Sequence, residues 1–401
     1  MNLQVFFRSA AVSLPKGRFR EGETTFDLFL EDVFQRYIAE VRSIDDPEFR
    51  SICSEIEHSL GTLDQLAKRI VAAVKHYLDG YPYLAYDEIE KSLALVSLEK
   101  LISCLSRSTH VGGFPNDLEF FGECALHPPL YRIRADRSAA ATKRKDIFHV
   151  PFEKRRHVEN QRYSIAGLPC LYLGSSIWIC WEELNRPELD RVWVSRFSFA
   201  EGVRVLDFQF PPFLAWHLFG VLLNNSNNTE GRSSPKELLD RFDERFIASY
   251  ILCWPLIAAS SIKVEYSEGS FFPQYIVPQI LLQWVTKEQK VDGIRYFSTR
   301  TSPEDADVWA HSSCVFPARN VSSSGHCSYL RKKFHLTAPF SWELLQFLDI
   351  NEPYYGLSNA QAVIKMSDDY RAFYSNTGFF MAERKLGVIE NRGFCGPVEE
   401  N

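Results

Sequence analysis

Apolar residues recur at helical spacing through residues 24–106 of this chain. Thr24 or Thr25 can cap a first helix, and Thr62 with Gln65 has the capping-box pattern that opens another. Three apolar stripes then repeat every three to four residues, as the buried face of a helix does, and together they predict a small helical bundle. The stripes are Phe26, Leu30, Val33, Phe34, Tyr37 and Val41; Leu63, Leu66, Ile70, Val71, Val74 and Leu78; and Ile89, Leu93, Val96, Leu101 and Leu105.

From about residue 126 the pattern changes to short apolar runs separated by loops. Leu130–Ala135 alternates apolar and basic residues, as a half-buried strand does. The chain is therefore predicted to be α+β, with a helical domain over residues 1–125 and a mixed β core with flanking helices over residues 126–401. Further strands are predicted over 147–150, 192–199, 203–208 and 292–298, and helices from Ser234 past Ile247 and from Tyr275 to Val285.

One stretch, Arg162–Glu183, combines a polar loop, an apolar strand and a helix. It begins with an arginine, continues through the strand 168–173, and enters a helix at Ser175 or Ser176 that ends with two adjacent glutamates. A guanidinium binds phosphate through charge-assisted hydrogen bonds, and a carboxylate stabilises a developing positive charge. The stretch is therefore predicted to form half of a nucleotide-cleaving site.

Composition and charge narrow the class of protein. The formal net charge of -6 argues against a nonspecific nucleic-acid binder, because such proteins carry a basic excess. Nine cysteines without paired C-x-x-C spacing indicate reduced thiols rather than a disulfide framework or a zinc site. The first residues show no secretory signal, and Ile247–Ile262, which contains Pro255, falls short of the roughly 18 apolar residues of a membrane span. We expect a cytoplasmic protein without a membrane segment or a metal site.

The stretch also resembles a known family. Four positions carry the spacing of the core signature of the RES-domain family, which is named for an arginine, a glutamate and a serine in that chain order: Arg162, Gly167, Tyr172 and Glu183. The sequence departs from the signature at Gln161, where the family usually has a glycine.

Two further elements extend this resemblance along the chain. Arg132, in LYRIR, matches the earlier arginine of the signature, and Ser298, in GIRYFS, ends a segment similar to the family's G-I-x-Y-x-S element. The acidic position is doubled, since Glu182 adjoins Glu183. The ordered set covers residues 130–300, so the helical domain over residues 1–125, called here the helical front, lies outside the resemblance.

The resemblance implies an ADP-ribosyltransferase-like fold that cleaves NAD+ between nicotinamide and ribose, with NAD+ as the substrate and no bound cofactor. Nicotinamide leaves as a neutral ring, so the barrier is mainly the positive charge that builds on the ribose. A glutamate is expected to stabilise that charge, a serine to orient the glutamate or contact the ribose, arginines to hold the pyrophosphate, and tyrosines to contact the nicotinamide end. The candidate catalytic residues are Glu183, Glu182, Arg162 and Ser298, and the candidate substrate-binding residues are Arg132, Arg134, Tyr163 and Tyr172.

Several functions stay open at this stage. The first is an NAD+ glycohydrolase or phosphorylase that acts as a toxin or an anti-phage defence effector and is inhibited by a small antitoxin partner. An ADP-ribosyltransferase that modifies a protein is the second, and a noncatalytic scaffold is the third. The fourth is RNA cleavage or RNA binding by the helical front over residues 1–125, because Arg69 and His76 share a helix face as the pair in HEPN ribonucleases does. A surface or salt-bridge role is the commoner explanation for such a pair.

Overall fold

The computed structural model of the 401-residue chain describes residues 1–20, 22–105, 129–135, 143–227, 243–264, 269–300, 312–348, 363–367 and 370–399. These residues form helices and strands in the α+β arrangement predicted from the sequence, with helices at the N-terminus. The domain boundary predicted between residues 125 and 126 lies outside the described residues, as does the predicted helix start at Ser234.

The elements are numbered here in chain order. The helices are α1 Leu3–Arg8, α2 Phe26–Arg42, α3 Arg50–Leu78, α4 Pro82–Leu95, α5 Arg144–Ile147, α6 Ile177–Glu183, α7 Pro212–Asn227, α8 Glu244–Ala259, α9 Ile276–Lys287, α10 Ser328–Lys333, α11 Trp342–Phe347 and α12 Gly378–Asn391. The strands are β1 Ile102–Leu105, β2 Leu130–Ala135, β3 Cys170–Gly174, β4 Val192–Phe199, β5 Val203–Phe208, β6 Gly293–Phe297, β7 Ser312–Pro317, β8 Phe334–Leu336, β9 Phe340–Ser341, β10 Val363–Ser367 and β11 Tyr370–Phe373.

The chain divides into two compact units, each assembled from several segments. The helical unit comprises Met1–Ser103, Glu159–Ile165 and Leu206–Gln289. The sheet unit comprises Cys104–Val158, Ala166–Val205 and Lys290–Asn401.

The helical unit is built around α8, which is buried along almost its whole length. Tyr37 of α2 stacks on Trp254 of α8 with ring centroids 3.8 Å apart, and its hydroxyl donates to the Ile251 carbonyl at 2.7 Å. The apolar stripe from Ile247 is therefore the core of a helical bundle. Within the described ranges, no helix combines the length and the apolar composition needed to cross a membrane.

Two details of the predicted bundle are wrong. Thr62 lies inside α3, which already begins at Arg50, because Ile52 and Ile56 extend the buried face by further turns. The third stripe leaves its α-helix at Leu95: Leu101 ends a short 3-10 turn, Glu99–Leu101, and Leu105 belongs to strand β1. A stripe of apolar residues fits a helix or a buried strand over so short a length, so periodicity alone did not separate them.

The sheet unit is organised on a sheet with the strand order β1-β5-β6-β7-β3-β2-β4-β8, in which β9 also pairs with β4. The described registers of β2, β3, β4, β6, β7 and β8 are antiparallel. Consecutive residues Leu130 and Tyr131 belong to different apolar clusters, as alternation along a strand requires, so the sheet is covered on both faces.

Most strands near the candidate site were predicted from short apolar runs, and β2 was predicted from its alternation. The predicted bounds of β2, β4 and β5 match the structure, and β3 and β6 differ from theirs by one or two residues at an end. The strand predicted over 147–150 is wrong, because Ile147 ends a helical turn that begins at Arg144 and residues 148–150, which include a bend, lie outside any strand. The Asp146 carboxylate accepts from the Lys143 N–H at 2.9 Å and closes that turn.

Candidate functional site

Side chains of helix α6 pack directly against the backbone of strand β3 at Gly174. A Cβ on Gly174, the last residue of β3, would lie 2.5 Å from Ile179 Cγ2, so the position accepts no side chain without a shift. The Ser176 Oγ accepts from the Ile179 N–H at 3.1 Å and caps the helix. At the other end, Asn185 has a left-handed backbone, with φ 60°, and ends the helix. These contacts fix the position of the short helix next to the end of β3, and the last two residues of the helix are Glu182 and Glu183.

Glu183 and Ser298, both selected through the resemblance to the RES-domain family, are in contact. The Ser298 hydroxyl donates to Glu183 Oε1 at 2.7 Å, and the same hydroxyl oxygen accepts from the Arg300 N–H at 3.2 Å. Ser298 is fully buried, whereas the Glu183 side chain keeps 33% of its exposure. The buried serine therefore orients the carboxylate, and the exposed part of the Glu183 side chain remains accessible to a ligand.

Arg300 is a site residue that sequence reasoning missed. Its Nε lies 3.4 Å from Glu183 Oε2, and its Nη1 donates to Asn185 Oδ1 at 2.5 Å. The guanidinium is thus the counter-ion of the candidate catalytic carboxylate. Its position two residues after Ser298 was the available signal, but the family signature ends at the serine.

Glu182 has a different environment from its neighbour. Arg186, one turn later, contacts both of its carboxylate oxygens, with Nη2–Oε1 at 2.9 Å and Nε–Oε2 at 3.0 Å. Glu182 is 7% exposed, and the guanidinium of Arg186 also lies over the Trp181 ring. A carboxylate enclosed in this way has less access to a ligand than Glu183, so the geometry favours Glu183 as the reactive residue.

Arg132 and Tyr172 are brought together by strands β2 and β3. The described register joins these strands at Tyr131 and Gly174, and the Arg132 Nη1 donates to the Tyr172 carbonyl at 2.7 Å. Burial lowers the pKa of Arg132 to about 10, which still leaves the guanidinium charged at neutral pH. Burial also raises the pKa of Tyr172 well above its ordinary value, so its phenol stays protonated. Arg134, two residues along β2, is exposed, and its guanidinium donates to the Asp146 carbonyl.

The Cys180 thiol of α6 is affected by the charges of both Arg132 and Glu183. Its thiol donates to the Tyr131 carbonyl at 3.2 Å. Burial raises the pKa of this thiol to about 12, an effect that the positive charge of Arg132 opposes and the negative charges of Glu383 and Glu183 reinforce. The charges of Arg132, Glu183 and Glu383 therefore all act on the same thiol of α6.

Arg162 and Tyr163 belong to the helical unit. The Arg162 guanidinium donates to the Ser260 carbonyl at 3.0 Å and to the Ile262 carbonyl at 2.9 Å, and it lies over the Tyr275 ring. These carbonyls follow the end of α8, where a cation satisfies exposed backbone acceptors. Tyr163 is buried, which raises the pKa of its phenol to about 12. The described contacts of Arg162 are thus those of a residue that stabilises a helix end, and its catalytic role stays a prediction.

Glu383 of α12 is a second residue that the sequence analysis did not select. Its Oε1 accepts from the Ile177 N–H and from the Tyr374 hydroxyl, both at 2.6 Å. Burial raises the pKa of this carboxyl to about 7, against the lowering effects of these two hydrogen bonds and of Arg196. Glu383 therefore holds the first turn of the helix that carries Glu183.

Of the Arg69–His76 pair on helix α3, Arg69 forms a salt bridge. Arg69 Nη1 lies 2.8 Å from Glu88 Oε2 and links α3 to α4. This contact is the salt-bridge role that the sequence analysis preferred for the pair. In the part of the chain that the structure describes, no group of three or more His, Cys, Asp and Glu side chains could hold a metal ion.

The fold and site define an α+β protein in which a glutamate, a serine and an arginine meet at the end of a short helix on a central sheet. No model of a protein family matches the chain, and no solved structure matches it. The chain is 32% identical over 336 residues to a protein of Bacillus subtilis (strain 168) named "Putative toxin YopC", and the match covers 82% of this chain and 68% of that protein. The chain belongs to the family of that protein.

Proposed function

We propose that this protein is an NAD+-degrading toxin that cleaves the bond between nicotinamide and ribose. The observation that carries the proposal is the hydrogen bond from Ser298 to Glu183, two residues that stand 115 positions apart. They are the serine and the glutamate that the resemblance to the RES-domain family selects. The name of the Bacillus subtilis relative supports the toxin part of the proposal.

The site chemistry suits a reaction whose transition state is a positively charged sugar. Ser298 fixes one oxygen of Glu183, so the carboxylate is oriented before substrate arrives and reorganises little during the reaction. Arg132 stays charged at neutral pH and is proposed to bind the pyrophosphate, with Tyr172 at the nicotinamide end. The partly exposed Glu183 then faces the ribose and stabilises the charge that develops as nicotinamide departs as a neutral ring.

The test is nicotinamide release from NAD+ by the purified protein, with Glu183→Ala and Glu182→Ala as a matched pair. Removing one preorganised electrostatic group typically lowers kcat by about 100- to 1,000-fold, and we expect that loss for Glu183→Ala. Glu182→Ala is expected to change kcat by less than about three-fold, because this carboxylate is enclosed by Arg186. Full turnover by Glu183→Ala would contradict the assignment of the carboxylate, and full turnover by both variants would contradict the mechanism.

The acceptor is distinguished by the product of the same assay. Water gives ADP-ribose and phosphate gives its phosphorylated form, so the assay is run with and without phosphate. Transfer to a protein, the alternative with the same bond broken, would appear as labelled protein after incubation with NAD+ labelled in its adenylate. We propose that the toxin acts on cytoplasmic NAD+ and is held inactive by a small partner protein that covers the site.

A further inference from the structure

Arg300 poses a chemical problem for the proposed reaction. A carboxylate that stabilises a positive ribose must keep its negative charge available, and the Arg300 guanidinium neutralises that charge from 3.4 Å. If this pair persisted in the complex with NAD+, Arg300 would oppose the effect that Glu183 is proposed to have. The counter-ion therefore has to leave the carboxylate before the bond breaks.

The free-energy cost of separating Arg300 from Glu183 is small, because both side chains are partly exposed. The side chains of Arg300 and Glu183 are 40% and 33% exposed, and ion pairs with this degree of solvent access add little stability. On leaving Glu183 the guanidinium also gives up its hydrogen bond to Asn185 Oδ1, and in exchange it can bind a diphosphate with two parallel N–H bonds, which is the geometry it prefers. NAD+ carries such a group, and the substrate itself can thus displace the pair.

We infer that Arg300 is a substrate-responsive counter-ion: it masks Glu183 in the free protein and moves to the diphosphate of NAD+, which frees Glu183 for the ribose. This inference rests on the proposed function, because it assigns the reacting carboxylate to Glu183. It makes Arg300 a diphosphate-binding residue and explains how binding of the correct substrate switches on the site. Cleavage of a ribosyl nicotinamide that lacks the diphosphate is kept low, since nothing draws Arg300 away.

The backbone of Arg300 has a separate role that a side-chain substitution preserves. Its N–H donates to the Ser298 Oγ at 3.2 Å, and Ser298 in turn donates to Glu183. Arg300→Ala therefore removes the guanidinium and leaves the hydrogen bonds that orient the carboxylate. Arg191→Ala is the matched control, because Arg191 is 41% exposed, lies in the same unit, and forms its described ion pair, at 3.0 Å, with Glu188, which is not a candidate residue.

The experiment compares two substrates, NAD+ and nicotinamide riboside, in the wild type, Arg300→Ala, Arg300→Lys and Arg191→Ala. For NAD+ we expect Arg300→Ala to raise KM about 10- to 100-fold, as loss of a charged contact does, with kcat changed by less than about three-fold. For nicotinamide riboside we expect kcat/KM to rise about three- to five-fold in Arg300→Ala, since the masking ion pair is gone. Arg300→Lys keeps the charge without the planar fork and should give an intermediate KM for NAD+, and Arg191→Ala should match the wild type.

The exchange therefore predicts that Arg300→Ala weakens the cleavage of NAD+ and increases the cleavage of nicotinamide riboside. An arginine with a merely structural role would lower the cleavage of both substrates, and a simple phosphate clamp would leave nicotinamide riboside unchanged; either result overturns the exchange. Calorimetric titration with ADP provides a readout without turnover, and equal Kd values for the wild type and Arg300→Ala overturn the diphosphate contact. A wild type that binds ADP through Arg300 but releases no nicotinamide contradicts the proposed function instead, so the two failures are distinguishable.

Discussion

Glu383 allows a quantitative prediction, because one buried carboxyl holds the helix that carries Glu183. The group is 2% exposed and accepts hydrogen bonds from the Ile177 N–H and the Tyr374 hydroxyl. The perturbation is Glu383→Gln, which keeps an oxygen acceptor at that place and cannot ionise. The variant thus mimics the protonated wild type at every pH.

The direction of the effect follows from the raised pKa of Glu383. Burial moves it from the ordinary 4.5 to about 7 in the folded protein. Between these two values the unfolded chain has already lost the proton that the folded protein retains, so stability is fully present below pH 4.5 and is lost as pH rises through about 7. The difference in pKa corresponds to about 3 kcal/mol of unfolding free energy, most of it lost between pH 5 and pH 8.

The assay is urea unfolding followed by circular dichroism, at pH 5 and at pH 8, for the wild type and Glu383→Gln. Taking the difference between the two proteins cancels the other titrating groups. At pH 5 we expect the two stabilities to agree within about 1 kcal/mol, and at pH 8 we expect the variant to be more stable by roughly 3 kcal/mol. The reasoning is refuted if the difference between the proteins does not change with pH, or if the variant loses stability at pH 8.

Two further predictions test the site and the helical core. Ser298→Ala removes the hydroxyl that orients Glu183. We therefore expect kcat for nicotinamide release to fall about 10-fold while the Kd for ADP is unchanged. A normal kcat would show that the serine does not position the carboxylate. Tyr37→Phe removes the hydroxyl that donates to the Ile251 carbonyl, and we expect it to lower the unfolding free energy by about 1–2 kcal/mol in urea titrations, with no change in nicotinamide release; an unaltered stability would contradict the role assigned to this hydrogen bond.

Local patterns predicted the sheet elements near the site well. Alternation defined β2 over Leu130–Ala135, and the serine before α6 defined the helix start, because each signal acts over neighbouring residues. The strand predicted over 147–150 is wrong for the same reason, since a four-residue apolar run carries too little periodicity to separate a strand from the end of a helical turn and the bend that follows it. The pairing of Glu183 with Ser298 was reached through the ordered resemblance, which carries long-range information that periodicity lacks.

The residues that the sequence did not predict act over long separations. Glu383 meets the N–H of Ile177, 206 residues earlier, and no local pattern distinguishes this buried glutamate from one on a solvated helix face. Arg162 stands close in sequence to Tyr172 and Glu183, yet its guanidinium donates to a carbonyl 98 residues later, in the helical unit. Proximity along the chain suggested one site, but the short segment Glu159–Ile165 belongs to another compact unit than the strand that follows it. A cation next to a catalytic motif is therefore assigned by the unit in which its acceptors lie, and by that criterion Arg132 and Arg300, which share a unit with Glu183, are stronger candidates for binding phosphate than Arg162.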